Sequence, residues 1–249
     1  MKVIAIANQK GGVAKTTTAI NLASGLARRS LRTLLIDLDA QANATQSLPV
    51  PDGPTLTIYE VFNHEVEVLD AIYPIGDNFD ALASHIKLAK LEPQLTGAVD
   101  AYKLREVLDD LTYDYVIIDC PPSLGALTTN ALVAATHVLV PVTASYYGLN
   151  AVADFMETFN QIRRIVNPKL ELLGIVVTIY DARLTIARDV EALFRETYGG
   201  QMLTSVIHKN VRLDEAASDR SSIFSFDPSS RGATDYRKLL EEVLGRVSA

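Results

Sequence analysis

A chain of 249 residues, 48% apolar and 21% charged, can bury a large core and has no disordered or low-complexity character. Its net charge of −7 excludes a wholly basic nucleic-acid-coating surface, though not a local basic cluster gathered by folding. The lone cysteine, Cys120, excludes an internal disulfide and a protein-only zinc or iron–sulfur site.

Taken in chain order, the apolar run Val3 to Ala7 predicts a first strand. It is too short for the core of a secretory leader, and no run of about 18 apolar residues follows, so a cytoplasmic protein without a membrane span is expected. After Asn8-Gln9 comes Lys10-Gly11-Gly12-Val13-Ala14-Lys15-Thr16-Thr17, which opens a helical pattern over Thr16 to Arg29. A second strand, Thr33 to Leu38, runs into Asp37-Leu38-Asp39-Ala40-Gln41-Ala42-Asn43. Leu48 to Thr57 carries three prolines and reads as a surface loop. Residues 55–110 read as more helical, a lobe packed on the sheet. A third strand, Tyr115 to Ile118, ends in Asp119-Cys120-Pro121-Pro122. Then a helix (Ala126 to Ala135), a strand (His137 to Val142), a helix (Leu149 to Ile165), a strand (Leu172 to Ile179) and a helix (Ile186 to Tyr198) follow. The segment Ala233 to Val247 is an amphipathic helix with Tyr236, Leu239, Leu240, Val243 and Leu244 on one face. Near-continuous apolar strands alternating with helices predict an α/β fold: a doubly wound, mostly parallel sheet with helices on both faces, in one domain over 1–249.

Three segments carry chemistry. A glycine-rich loop between strand and helix lets successive N–H groups turn toward phosphate oxygens, and the helix N-terminus adds its positive dipole end. In that setting Lys15 reaches the β- and γ-phosphates of ATP, the backbone of Gly11, Gly12, Val13, Ala14 and Thr17 wraps them, and the Thr16 hydroxyl ligates Mg²⁺. The carboxylates of Asp37 and Asp39, two residues apart on an extended chain, point the same way. Asp39 is expected to orient the attacking water and Asp37 to support the metal's water shell. Asp119, at the end of an apolar strand, is expected to hold Mg²⁺ through water. Cys120 reads as a small buried residue rather than a reactive thiol.

The motif K-G-G-x-x-K-T-T, with a second lysine at Lys10, resembles the deviant Walker A, or signature-lysine, ATPases, whose members include the ParA and Soj partition proteins, MinD and the nitrogenase iron protein. That resemblance implies that Lys10 is supplied across a dimer interface to the partner's phosphates. Ala14 stands where the group has glycine, and Ala40 where it has proline. Further along, Ala7-Asn8-Gln9, Thr178 to Arg183, Lys209 to Ala216 and Ser230-Arg231-Gly232-Ala233 resemble the Soj-like branch of ParA specifically. His208-Lys209 replaces the branch's Pro-Arg before Asn210, a segment that in the family lies near the adenine, and Ser145 replaces an acidic residue ahead of Tyr146-Tyr147.

The resemblance also implies an ATP-bound homodimer that binds DNA without sequence preference and is reset by a ParB-like partner with a short basic N-terminal segment. It implies a cytoplasmic, nucleoid-associated protein. Arg183 and Arg212 match the DNA-binding positions, with Arg188, Arg231 and Arg237 as helpers. From Asp181 onward the chain has 10 Lys and Arg against 11 Asp and Glu, so any DNA face must be a local cluster doubled by dimerisation. With the first strand starting at Lys2 or Val3, no N-terminal helix-turn-helix domain is expected. A MinD-like membrane role is disfavoured, since the C-terminal helix mixes acidic with basic residues and ends without a basic apolar anchor. An iron–sulfur reductase would need two cysteines per chain. A sibling ATPase that positions a cargo other than DNA remains the alternative.

Overall fold

The computed structural model describes residues 1–248. The first strand β1 (Lys2–Ile6) leads through the glycine loop into α1 (Lys15–Ala27), then β2 (Thr33–Asp37) and the short helices α2 (Asn43–Gln46) and α3 (Ile58–Phe62). A hairpin of β3 (Ile72–Gly76) and β4 (Phe79–Leu82) precedes α4 (Leu88–Leu91), α5 (Lys103–Asp109) and β5 (Tyr115–Asp119). Next come α6 (Ala126–Ala134), β6 (His137–Thr143), α7 (Tyr146–Ile165), β7 (Glu171–Tyr180), α8 (Thr185–Tyr198) and β8 (Met202–His208). The chain closes with α9 (Val211–Ser218), α10 (Ile223–Phe226) and α11 (Arg231–Val247).

The eight strands form one sheet in the order β3-β4-β2-β5-β1-β6-β7-β8. Every neighbouring pair is parallel except the β3–β4 hairpin, which is antiparallel. The central strands β2 and β5 are buried at every position, as strands covered on both faces must be. One core lies on each side. On one side Leu22 and Leu26 of α1 pack with Ile4, Leu35, Tyr236 and Leu239; on the other Phe155 and Phe159 of α7 pack with Val138 and Ile118. Each fully buried leucine or phenylalanine stabilises the fold by about 2 kcal/mol.

The sheet therefore has the doubly wound form expected, but residues 55–110 are not wholly helical: β4 pairs with β2 and extends the sheet itself. The four-residue run Phe79–Leu82 contains Asp80, and β3 contains Pro74, which a strand tolerates only at an edge. The edge strand β8, not expected from the sequence, has its apolar run broken by Thr204, Ser205 and His208, and Thr204 is its one exposed position. The strand order reverses beside β1, with β5 and β6 on either side. At such a switch point the loops beyond the carboxyl ends of the strands part and leave a crevice.

Candidate active site

The crevice is built from the carboxyl ends of β1, β2 and β5. Residues 7–14 leave β1 and curl over the N-terminus of α1. Gly12 has φ 70, and Ala14, the residue before the helix, has φ 60 and ψ 36. Alanine in this left-handed region carries a steric cost of about 1–2 kcal/mol that glycine would not. The α1 N-terminus has no side-chain cap, so its first N–H groups face the loop. The loop is pinned from behind. Thr178 Oγ1, fully buried on β7, lies 3.0 Å from the Val13 carbonyl and 3.1 Å from that of Val142.

The two lysines of the loop have separate environments. Lys15 is buried and donates to the Lys10 carbonyl at 3.1 Å. Burial pushes its pKa down, opposed chiefly by the charge of Asp119. Lys10 turns the other way. Its Nζ lies 3.2 Å from Ser145 Oγ and 3.5 Å from Thr143 Oγ1, and 6.0 Å from the centroid of the Tyr147 ring. It thus rests against the β6–α7 turn of its own chain, away from the pocket of Lys15.

Three carboxylates face the loop, and their surroundings differ. Asp37 accepts hydrogen bonds from the Thr45 amide and hydroxyl, both at 2.8 Å, and from the Asp39 amide at 3.1 Å. Burial nevertheless raises its pKa to about 6. Asp39 accepts from the Gln41 amide at 3.0 Å and keeps its second oxygen for another partner. The loop that carries Asp39 is fixed from β4: Ser84 Oγ donates to the Asp39 carbonyl at 2.7 Å, and the Ser84 amide donates to Thr45 Oγ1 at 2.9 Å. Asp119 is fully buried, and neither of its carboxylate oxygens has a hydrogen-bond partner. Burial first, and the charge of Asp37 second, push its pKa well above the usual carboxylate range, with the Thr16 hydroxyl and the Lys15 ammonium acting the other way.

An unpartnered buried carboxylate costs about 1–3 kcal/mol or more. Beside a threonine hydroxyl and a lysine at a helix N-terminus, it fits a site where Asp119 and Thr16 would hold Mg²⁺. Asp37, by contrast, already has both oxygens engaged by protein groups. Thr45, Ser84 and Thr178 support the site but carry no motif spacing. Of the three, only Thr178 falls in a segment that the sequence singles out.

The remaining candidates lie on the same sheet edge but outside the loop. Asn210 caps α9, its Oδ1 accepting from the Arg212 amide at 3.0 Å, and its Nδ2 faces Gly232 at the start of α11. Arg183 and Arg212 follow the ends of the adjacent strands β7 and β8 and are exposed. Ile179, one residue before the end of β7, has φ 51, a strained conformation for a β-branched residue, and lies where the β7–β8 register breaks. His208, at the end of β8, bonds through Nδ1 to Asp235 at 2.8 Å. Cys120 is buried, as expected.

Comparison with known proteins agrees with this geometry. A family described as an AAA domain matches residues 1–172. The chromosome-partitioning ATPase Soj of Thermus thermophilus is 48% identical over 244 residues, covering 98% of this chain and 96% of that one. The sporulation initiation inhibitor protein Soj of Bacillus subtilis is 38% identical, covering 97% and 98%. Among solved structures, the cobyrinic acid a,c-diamide synthase of Mycobacterium smegmatis with bound ADP and magnesium superposes with a TM-score of 0.87 at 36% identity, covering 100% and 96%.

Proposed function

The chain belongs to the ParA/Soj family of P-loop partition ATPases, and from that premise we propose that it is a DNA-partition ATPase switched by ATP-driven dimerisation. As a member of this family it is an ATP hydrolase, and the neighbours at 36% identity solved with ADP or an ATP analogue and magnesium support binding of nucleotide and Mg²⁺. Soj, at higher identity than the diamide synthase, guides the biology.

The observation that carries the proposal is the division between the two lysines. Lys15 is buried against Asp119, where it holds the phosphates of its own nucleotide, with the backbone from Gly11 to Thr17 around them. Lys10 is not spent on that pocket. It is free to leave Ser145 and reach the phosphates of a second copy placed face to face, in the manner of a charge supplied in trans. Thr16 and Asp119 would hold Mg²⁺, with Asp37 behind them, and the ion would supply charge neutralisation at the phosphates. Asp39, with one oxygen free, orients the attacking water.

In this account the dimer brings together two copies of the edge carrying Arg183 and Arg212, and non-specific DNA binding follows. A ParB-like partner stimulates hydrolysis and resets the monomer, and the protein works in the cytoplasm on the nucleoid. A MinD-like membrane role is opposed by α11, whose Tyr236, Leu239, Leu240 and Val243 are buried against the body of the protein. Among the described residues no helix is long and apolar enough to cross a membrane.

The test is a pair of variants measured by isothermal titration and light scattering. Lys15→Ala should lose ATP affinity. Lys10→Ala should keep ATP binding but fail to dimerise with ATP or to hydrolyse it. A full-strength, hydrolysing dimer of Lys10→Ala would reject the role of Lys10 in trans.

A further inference from the structure

Arg183 and Arg212, the cations assigned to DNA, are both occupied in the free chain. The Arg183 guanidinium makes a two-pronged contact with Asp181, Nε to Oδ1 at 2.9 Å and Nη2 to Oδ2 at 2.7 Å, and its amide donates to the same carboxylate at 3.0 Å. Arg212 donates from Nη1 to Glu215 at 2.7 Å and lies 3.4 Å through Nε from Asp227. Lys209, whose amide bonds the Tyr180 carbonyl, adds a third cation whose charge acts on Asp181. The face thus carries three cations and three carboxylates and is locally neutral. By contrast, Arg188 beside it bonds only to uncharged groups, the Ala182 carbonyl and the Thr185 hydroxyl.

We propose that Asp181, Glu215 and Asp227 are affinity-setting residues of the polyanion face, internal carboxylates that a phosphate must displace from Arg183 and Arg212 before it can bind. This inference rests on the DNA-binding role proposed for the same face. The planar contact of Arg183 with Asp181 has the geometry in which a guanidinium takes two oxygens of a phosphate, so carboxylate and DNA compete for one donor set. An exposed ion pair is weak and screened by salt, so it does not block a polyanion of high charge density. It does remove the gain from isolated or sparse anions. Duplex DNA, with one charge per about 1.7 Å of axis, engages several such arginines together. The carboxylates therefore weaken the face toward DNA in a monomer, and the doubled face of a dimer engages enough arginines together to displace them.

Competition leaves a thermodynamic mark that loss of a negative charge elsewhere does not. Binding to an arginine already neutralised by the protein releases fewer counterions in net, because the freed carboxylate gathers cations. Freeing one arginine per chain, two per dimer, should therefore steepen the dependence of log affinity on log salt, by up to about 1.8 where the wild-type pairs stay closed on DNA. The experiment is fluorescence anisotropy of a labelled duplex with the full chain, Mg²⁺ and a slowly hydrolysed ATP analogue, from 50 to about 300 mM salt. The variants are Asp181→Asn and Glu215→Gln. Asp189→Asn on α8, exposed and outside these ion pairs, is the control for general charge.

Asp181→Asn is expected to bind at least about fivefold tighter at 100 mM salt with a steeper slope, and Glu215→Gln to shift the same way by less, because Asp227 remains on Arg212. Asp189→Asn is expected to bind slightly tighter with an unchanged slope. Wild-type binding with no steepening in either variant would overturn the proposal and leave the DNA role standing. Absence of binding by wild type and variants alike would overturn both. Binding by Asp181→Asn where wild type shows none would support the proposal in its strongest form.

Discussion

Replacing Asp119 by asparagine should make the nucleotide-free protein more stable and the Mg-ATP complex less so. Asp119 is fully buried with no partner for either oxygen, and burial together with the charge of Asp37 raises its pKa well above the ordinary carboxylate range. A carboxyl with a raised folded pKa destabilises the fold. The penalty is absent below the unfolded value, near 4. It grows as pH rises and is complete above the folded value. An unpartnered buried polar group costs about 1–3 kcal/mol, more when charged, and a neutral amide keeps part of that cost. The net gain for Asp119→Asn is therefore about 2 kcal/mol at pH 8, and close to zero at pH 4. In a chain of this size 2 kcal/mol corresponds to about 4–8 °C in Tm. Differential scanning calorimetry of the nucleotide-free proteins at pH 5 and pH 8 measures it. In the wild type, Mg-ATP at 100 times its Kd adds about 2.7 kcal/mol, and the Mg²⁺-dependent part of that increment should disappear in the variant. A nucleotide-free Asp119→Asn that melts at or below the wild type at pH 8, or a gain that is the same at both pH values, would refute the assignment of Asp119 as a charge awaiting a cation.

Ala14→Gly should relieve the left-handed strain at φ 60. The relief of about 1–2 kcal/mol is partly offset by the greater freedom of glycine in the unfolded chain, leaving about 0.5–1 kcal/mol of stabilisation in urea unfolding; a less stable variant would show that the loop needs the methyl group. Asp39→Ala should bind Mg-ATP normally while single-turnover hydrolysis falls by about 100-fold or more, and unchanged turnover would move the water-orienting role elsewhere. Arg183→Glu and Arg212→Glu each shift the dimer's face by four charges and should weaken DNA binding by about 100-fold at 100 mM salt, with ATP-dependent dimerisation by light scattering intact. Wild-type DNA affinity in both variants would remove these residues from the interface.

Much of this site was legible in the sequence because its chemistry is local. The strand, glycine loop and helix from Val3 to Arg29 are contiguous, and Asp37, Asp39 and Asp119 close strands whose apolar runs announce them. What could not be read depends on contacts across the chain. The support of Asp39 comes from Ser84, 45 residues away, at the end of a four-residue strand whose apolar pattern is broken by Asp80. The anchoring of Val13 comes from Thr178, 165 residues away. Edge strand β8 shows too little apolar continuity to stand out, because Thr204, Ser205 and His208 interrupt it. The environment of each aspartate was equally hidden. Asp37 and Asp119 both read from the sequence as taking part in holding the metal, yet Asp37 has its oxygens engaged by protein groups and Asp119 has none engaged. The pairing of Arg183 and Arg212 with carboxylates also arises only when the turns after β7 and β8 fold side by side.

Whether ATP converts this chain into a DNA-binding dimer is decided by the retention of duplexes of unrelated sequence by the wild-type protein with Mg-ATP, with Mg-ADP and without nucleotide. Binding with ATP only, falling linearly in log affinity against log salt and indifferent to DNA sequence, is the result expected. Equal binding in the three states, or none in any, would contradict it.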